Sequence, residues 1–123
     1  MADNGPVRTF TDATFAAEVE RARGLTVVDF WAAGCGPCRM LAPIVEQVAA
    51  AYAGQAAVGK LDVDANPETA RRYNVRSIPS LLFFRDGGLV DTVVGVVPKR
   101  VLEQKIQGHL QESPSQTVTG RAA

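Results

Sequence analysis

Hydrophobic residues fall in short runs along the chain, and in the first half these runs predict strands that alternate with helices. Residues 7–10 predict a short edge strand. Residues 25–33 are rich in β-branched and aromatic side chains, and a nearly continuous apolar run indicates a central strand covered on both faces. Residues 56–63 predict another buried strand. The first half therefore supplies one edge strand and two buried strands.

The second half predicts a β-hairpin. Residues 78–84 and 89–94 both have the composition of strands. Between them lies the sequence Arg85-Asp86-Gly87-Gly88, a strong signal for a tight turn. The two strands are therefore expected to pair antiparallel.

Helical spacing of apolar residues predicts a first helix capped by Thr11 or Asp12 and ended by Gly24. Its apolar face includes Phe15, Ala16 and Val19. A second helix is predicted over residues 40–52, where Pro43 should introduce a kink. Its apolar positions are Leu41, Ile44, Val45 and Val48.

Two further helices are predicted. Asn66 and Pro67, a cap followed by proline in the first turn, mark the start of a short helix that ends near Tyr73. Pro98 opens a final helix with Leu102, Ile106 and Leu110 on one face. The order of elements predicts an α/β fold, in which helices cover both faces of a mixed sheet.

The length of 123 residues suits one domain, assigned to residues 1–111, followed by a polar tail over 112–123 that is expected to fray. The 13 basic and 13 acidic residues balance, so no field of one sign favours nucleic acid or an anionic membrane surface. No run approaches the ~20 apolar residues of a membrane-spanning helix. No secretory leader is recognised at the N-terminus, so a cytoplasmic protein is expected.

The two cysteines, Cys35 and Cys38, lie where a predicted strand gives way to a helix. The first turn of a helix carries unpaired N–H groups and a partial positive charge, which lower the pKa of a thiol there. We therefore expect Cys35 to be the exposed nucleophile and Cys38, about one turn further in, to resolve the mixed disulfide. Gly36 admits a close substrate chain, and Pro37 suits the start of a helix.

Two other interpretations of the cysteine pair are weaker. Zinc needs four ligands, and His109 is the single other imidazole or thiol candidate in the sequence, so a complete metal site would require a second chain. An inert structural disulfide across two residues would restrain the unfolded chain little. No metal is therefore expected at this site.

The sequence resembles the thioredoxin family. The similarity lies in residues 28–32 (Val-Asp-Phe-Trp-Ala), in residues 35–40 (Cys-Gly-Pro-Cys-Arg-Met) and in Ile78-Pro79-Ser80. Pro43, Lys60, Gly87 and Gly95 also match. The resemblance covers about residues 7–110. It implies a thioredoxin fold, with a central mixed sheet of five strands flanked by four helices.

The resemblance also implies roles for individual residues. Asp29 would lie buried behind the cysteines, where its pKa should rise and let it exchange a proton with Cys38. Lys60 would pair with Asp29 and moderate its titration. A plain structural Asp29 and an ordinary surface Lys60 are the alternatives. Pro79 is expected to be cis, placing the backbone of Ile78 beside the sulfurs.

An apolar docking patch for substrates is implied around the cysteines, with Trp31 packed beside the site. The patch would comprise Gly34, Gly36, Pro37, Ile78, Pro79, Val94, Gly95 and Val96. Gly34 departs from the family, which commonly has Trp directly before the first cysteine. The cysteine chemistry should survive this change, whereas docking of the reductase and of particular protein disulfides is expected to be altered.

The function implied is reduction of protein disulfides by a monomer that binds no cofactor. Its electrons would come from NADPH through thioredoxin reductase. No Gly-x-Gly-x-x-Gly nucleotide loop is present. A thiol oxidase or isomerase is a second enzymatic interpretation, and a redox-independent interaction module is a third. Loss of activity on removal of both thiols would exclude the interaction module.

Overall fold

The computed structural model describes residues 6–111. Nine elements follow one another along this part of the chain. They are β1 (Val7–Phe10), a π-helix (Ala16–Glu20), β2 (Leu25–Trp31), α1 (Gly36–Ala51), β3 (Ala56–Asp62), α2 (Pro67–Arg72), β4 (Ser80–Arg85), β5 (Gly88–Val94) and α3 (Lys99–Gln111). The predicted polar tail over 112–123 lies outside the described residues.

The five strands form one mixed sheet in the order β1-β3-β2-β4-β5. Strands β1, β3 and β2 are mutually parallel, whereas β4 runs antiparallel to both β2 and β5. The central strand β2 is buried from Leu25 through Phe30, which explains its unbroken apolar sequence. The predicted α/β class, the five-stranded mixed sheet and the four flanking helices are confirmed.

Side chains on alternate positions of β2 enter two different cores. Leu25 and Val27 pack with residues of α1 and α3 on one face of the sheet. Val28 and Phe30 pack on the other face, in a cluster that includes Val19 of the π-helix and Ala70 of α2. Asp29 follows Val27 by two positions and therefore points toward α1, the helix that carries the cysteines.

The first predicted helix differs from the structure. Apart from Phe15, whose backbone angles are α-helical, this segment is a π-helix, in which the Arg21 N–H donates to the Ala16 carbonyl 2.9 Å away across five residues. Thr11 accepts a hydrogen bond from the Thr14 N–H in the preceding turn. The prediction of Asp12 as its cap is wrong, because the Asp12 carboxylate is engaged elsewhere.

Asp12 instead caps α2 across the fold. Its carboxylate accepts the N–H groups of Glu68 and Thr69 at 3.0 and 2.8 Å, and the Thr69 hydroxyl at 2.6 Å. Asn66, predicted as the side-chain cap of α2, accepts the Asp12 N–H instead. Burial raises the pKa of Asp12, but the hydrogen bonds from α2 outweigh it and hold the pKa below its usual value.

The predicted hairpin turn is present between β4 and β5. Asp86 and Gly87 both have positive φ, at 51° and 85°, as a turn of the primed type requires. A Cβ on Gly87 would lie 2.8 Å from the backbone carbon of Glu20, so only glycine fits this close approach. The Asp86 carboxylate accepts the Gly24 N–H at 2.8 Å and ties the turn to the entrance of β2.

Candidate active site

Cys35 occupies the N-cap of α1, with the extended backbone angles typical of that position. The helix begins at Gly36, four residues before the predicted start, and Pro37 stands in its first turn where no intrahelical N–H is needed. Cys35 and Cys38 form a disulfide with a Cα–Cα distance of 5.2 Å. The Cys38 N–H donates to Cys35 Sγ at 3.1 Å, so an orphan donor of the helix end points at this sulfur.

The two sulfurs differ in their access to solvent. Cys38 is 3 % exposed, whereas Cys35 is only partly buried. An incoming disulfide therefore meets Cys35 first.

A second chain segment borders Cys35. The Ile78–Pro79 peptide bond is cis, as expected, and the Ile78 carbonyl oxygen lies 3.8 Å from Cys35 Sγ. The Gly95 N–H donates to the Pro79 carbonyl at 2.8 Å, which brings residues 94–96 alongside. Val94 and Val96 are large apolar side chains with 59 % and 40 % exposure. Of the residues predicted to dock substrate, Ile78 therefore borders the sulfur directly, and Gly95 is hydrogen-bonded to the neighbouring Pro79.

Asp29 lies behind the cysteine pair. The residue is 1 % exposed, and within residues 6–111 its Oδ1 is the one buried side-chain polar atom without a hydrogen-bond partner. Burial raises the pKa of Asp29 to about 7, while the positive charge of Lys60 acts in the opposite direction. An unpaired buried carboxylate oxygen is costly to a fold and marks a candidate functional group.

A cavity of about 80 Å³ connects Asp29 to Cys38. Its remaining lining residues are Trp31, Arg39, Ala42 and Lys60. The volume suffices for one or two water molecules, and the polar groups in its wall can hydrogen-bond them. The cavity therefore brings the Asp29 carboxylate and the buried Cys38 to the walls of one space.

Lys60 lies opposite Asp29 in the parallel register of β2 and β3. Its Nζ sits 4.3 Å from the centroid of the Trp31 ring. In the described part of the chain no ion pair within 4.0 Å joins Lys60 to a carboxylate. The structure therefore has no direct salt bridge between Lys60 and Asp29, and the positive charge of Lys60 acts on the carboxyl only by lowering its pKa.

Comparison with known proteins agrees with this geometry. The family model for thioredoxin matches residues 6–108. Thioredoxin 1 of Synechococcus elongatus is 51% identical over 100 residues, which span 81% of this chain and 94% of that protein. Thioredoxin of Staphylococcus aureus is 53% identical over the same shares of the two chains. The chain belongs to the thioredoxin family. It is a thiol–disulfide oxidoreductase whose redox-active group is the Cys35–Cys38 disulfide.

No group of three or more His, Cys, Asp or Glu side chains in residues 6–111 is placed to hold a metal ion. His109 lies on α3, where its ring bonds to Asp91 at 2.9 Å. Over the same residues, no helix combines the length and the apolar character needed to cross a membrane.

Gly34 stands where the thioredoxin family commonly has Trp. It is exposed, and a Cβ built there meets no atom within 4 Å. On the Gly34 side of Cys35, an incoming substrate therefore meets backbone rather than a side chain.

Sequence reasoning missed the role of Arg39. Its Nη1 donates to the Ala33 carbonyl at 2.8 Å, and this hydrogen bond fixes the loop that precedes Cys35. Ala42, whose small side chain lines the Asp29 cavity, was also missed. Both residues follow Cys38 within about one turn of α1, and this places them beside the site. Their placement could be deduced only if α1 was known to begin at Gly36.

Proposed function

We propose that this protein reduces disulfides in other proteins, with Cys35 as the nucleophile. The observation that carries the assignment is the position of Cys35 at the N-cap of α1, where the Cys38 N–H reaches its sulfur at 3.1 Å. Helix N-terminal donors stabilise a thiolate relative to a thiol, and the thiolate is the reactive form. The partial exposure of Cys35 lets a client disulfide reach it.

The reaction takes two exchanges. The Cys35 thiolate attacks one sulfur of the client, forming a mixed disulfide and breaking the client S–S bond, and the released client thiolate takes up a proton. Cys38 then loses its proton and attacks Cys35 Sγ. The second client thiolate leaves, and the client has gained two electrons that the cysteine pair has lost.

Asp29 is proposed as the proton acceptor for Cys38 in the second exchange. A general base works best when its pKa lies near the working pH, and the pKa of about 7 satisfies this condition. The cavity between Asp29 and Cys38 supports transfer through water. Lys60 modulates the titration by placing a positive charge near the carboxylate.

The client is proposed to dock on the apolar rim around Cys35. Gly34, Gly36 and Pro37 adjoin Cys35 along the chain, and Trp31 lines the cavity that reaches Cys38. The carbonyl of Ile78, which precedes cis-Pro79, lies 3.8 Å from the Cys35 sulfur. An extended client segment pairs with the backbone of Ile78, while its side chains contact Val94, Gly95 and Val96.

The electron supply is proposed to be NADPH through thioredoxin reductase, and the protein is proposed to work as a monomer. A dithiol reductant requires a reducing compartment, so we place it in the cytoplasm.

The test is reduction of insulin, with NADPH and thioredoxin reductase in one arm and dithiothreitol in the other. Turnover is expected in both arms and should vanish in Cys35→Ser. Turnover with dithiothreitol alone would refute the proposed electron donor while leaving the thiol chemistry in place. Inactivity in both arms would refute the proposed reaction.

A further inference from the structure

Trp31 and Lys60 contact each other, and the roles proposed so far for the two residues do not explain this contact. Both residues line the cavity of about 80 Å³ that reaches Asp29 and Cys38. Both also line a separate cavity of about 90 Å³ toward the end of β3, together with Asp62 and Asn66. The side chains of Trp31 and Lys60 therefore lie between the cavity beside Asp29 and a second cavity.

The stacking follows from the register of the sheet. Asp29 lies opposite Lys60, and Trp31 lies opposite Asp62, so Lys60 and Trp31 are diagonal neighbours on one face. A lysine side chain is long enough to reach a diagonal neighbour. Its ammonium group comes to 4.3 Å from the ring centroid, well within the range of a cation–π interaction.

A lysine in this place would otherwise have another acceptor. Asp62 is two residues further along β3 on the same face, and it is partly exposed to solvent. Its Oδ1, however, accepts the N–H groups of Asp64 and Ala65 at 2.9 and 3.4 Å. No ion pair in the described residues joins Lys60 to Asp62, and the ring of Trp31 is the close partner of the Lys60 ammonium.

We propose that Trp31 is a positioning residue for Lys60, whose ammonium it holds by a cation–π contact so that the charge acts on Asp29. Trp31 then controls the proton step through Lys60 rather than by touching the cysteines. The inference deepens the proposed function, since it rests on Asp29 as the proton acceptor for Cys38.

Other charged or titratable groups near Asp29 are few. From α1, Cys38 and Arg39 line the cavity, and the Arg39 guanidinium is bonded to the Ala33 carbonyl. From β4, the residue opposite Asp29 is the apolar Leu81. Burial raises the pKa of Asp29, and the charge of Lys60 is what lowers it in return. Displacing Lys60 from the ring should therefore raise the pKa of Asp29.

The experiment is a double-mutant cycle on the oxidised protein, with the Asp29 carboxyl titrated by ¹³C NMR. The four proteins are the wild type, Trp31→Leu, Lys60→Met and the double variant. Trp31→Leu also admits water to the cavity, and the resulting change in the pKa of Asp29 is expected to be the same in the wild-type and Lys60→Met backgrounds. We expect Trp31→Leu to raise the pKa of Asp29 by at least ~0.3 more in the wild-type background than in the Lys60→Met background, which lacks the charge. Equal changes in the two backgrounds would overturn the proposal.

A second measurement does not depend on Trp31→Leu folding. In the wild type, the ε-methylene protons of Lys60 should be shifted upfield by the ring current of Trp31. Trp31→Tyr, which keeps an aromatic face, should retain part of that shift and part of the coupling. Normal ε-proton shifts in the wild type would refute the contact. Because no turnover is involved, the proposal can fail while Cys35 remains essential for insulin reduction, and the reverse also holds.

Discussion

Replacing Asp29 by Asn tests the buried acid directly, because the substitution keeps the shape of the side chain and removes its charge. The pKa of Asp29 is raised by burial from 3.8 to about 7, a difference of about 3 pH units. Each unit corresponds to about 1.4 kcal/mol, so ionised Asp29 costs about 4 kcal/mol of folding free energy above neutral pH. At 1 % exposure, little of this cost is screened by solvent.

The sign of the pH dependence follows from proton binding. Folded Asp29 holds its proton more tightly than the unfolded chain does, so the free energy of unfolding falls as the pH rises from 3.8 to about 7. Above that range the penalty is constant, and below it the penalty vanishes. Asp29→Asn should therefore be more stable than the wild type, and its advantage should grow by about 3 kcal/mol between about pH 5 and about pH 8.5.

Urea denaturation of the oxidised proteins across this pH range measures the effect. Asp64→Asn, which removes a carboxylate from an exposed turn, is the matched control and should leave the pH profile of the wild type unchanged. A stability difference that stayed constant with pH would refute the titration of Asp29 in this range. In the insulin assay, Asp29→Asn should slow turnover near neutral pH by at least about tenfold, within the range of general acid–base effects.

Three further outcomes are expected. Cys38→Ser should accumulate a mixed disulfide through Cys35 on non-reducing gels, and Cys35→Ser should accumulate little; equal trapping by both variants would refute the assigned roles. Asp12→Ala should lower the free energy of unfolding at neutral pH by about 1–2 kcal/mol, because the start of α2 loses its cap, and an unchanged urea midpoint would argue against that capping. Gly34→Trp should fold normally, because a Cβ there meets no atom within 4 Å. It should lower the KM of thioredoxin reductase for this protein by a larger factor than it changes the rate of dithiothreitol-driven insulin reduction. Gly108→Trp, at an equally open position on α3, should change neither quantity.

The sheet was predictable because its signals are local. Strand β2 carries an apolar run, and the Asp86-Gly87 turn requires the positive φ angles that these residues adopt. The first residue of α1 was less predictable, because the helical spacing of apolar residues begins only near Leu41 and Gly36 is a poor helix former. In the structure Cys35 caps the first turn, and the helix begins at Gly36.

Contacts between residues that are far apart in the sequence account for the remaining differences between the predictions and the structure. Asp12 and Thr69 are 57 residues apart, and the pattern of residue types along the chain does not reveal the hydrogen bonds between them. The sequence pattern therefore offers Asp12, beside Thr11, as a local cap. The stacking of Lys60 on Trp31 likewise depends on the parallel register of β2 and β3, which the spacing of apolar residues does not determine.

The destabilisation at Asp29 and its proposed chemistry have one physical cause. The carboxylate is surrounded by the apolar strand β2 and by α1, and this burial both costs folding free energy and brings the pKa near 7. A change that hydrated the cavity would stabilise the fold above neutral pH and at the same time return the pKa toward 3.8, where the carboxylate is a weak base. Stability and proton transfer therefore oppose each other at this residue, and the positive charge of Lys60 sets the balance between them.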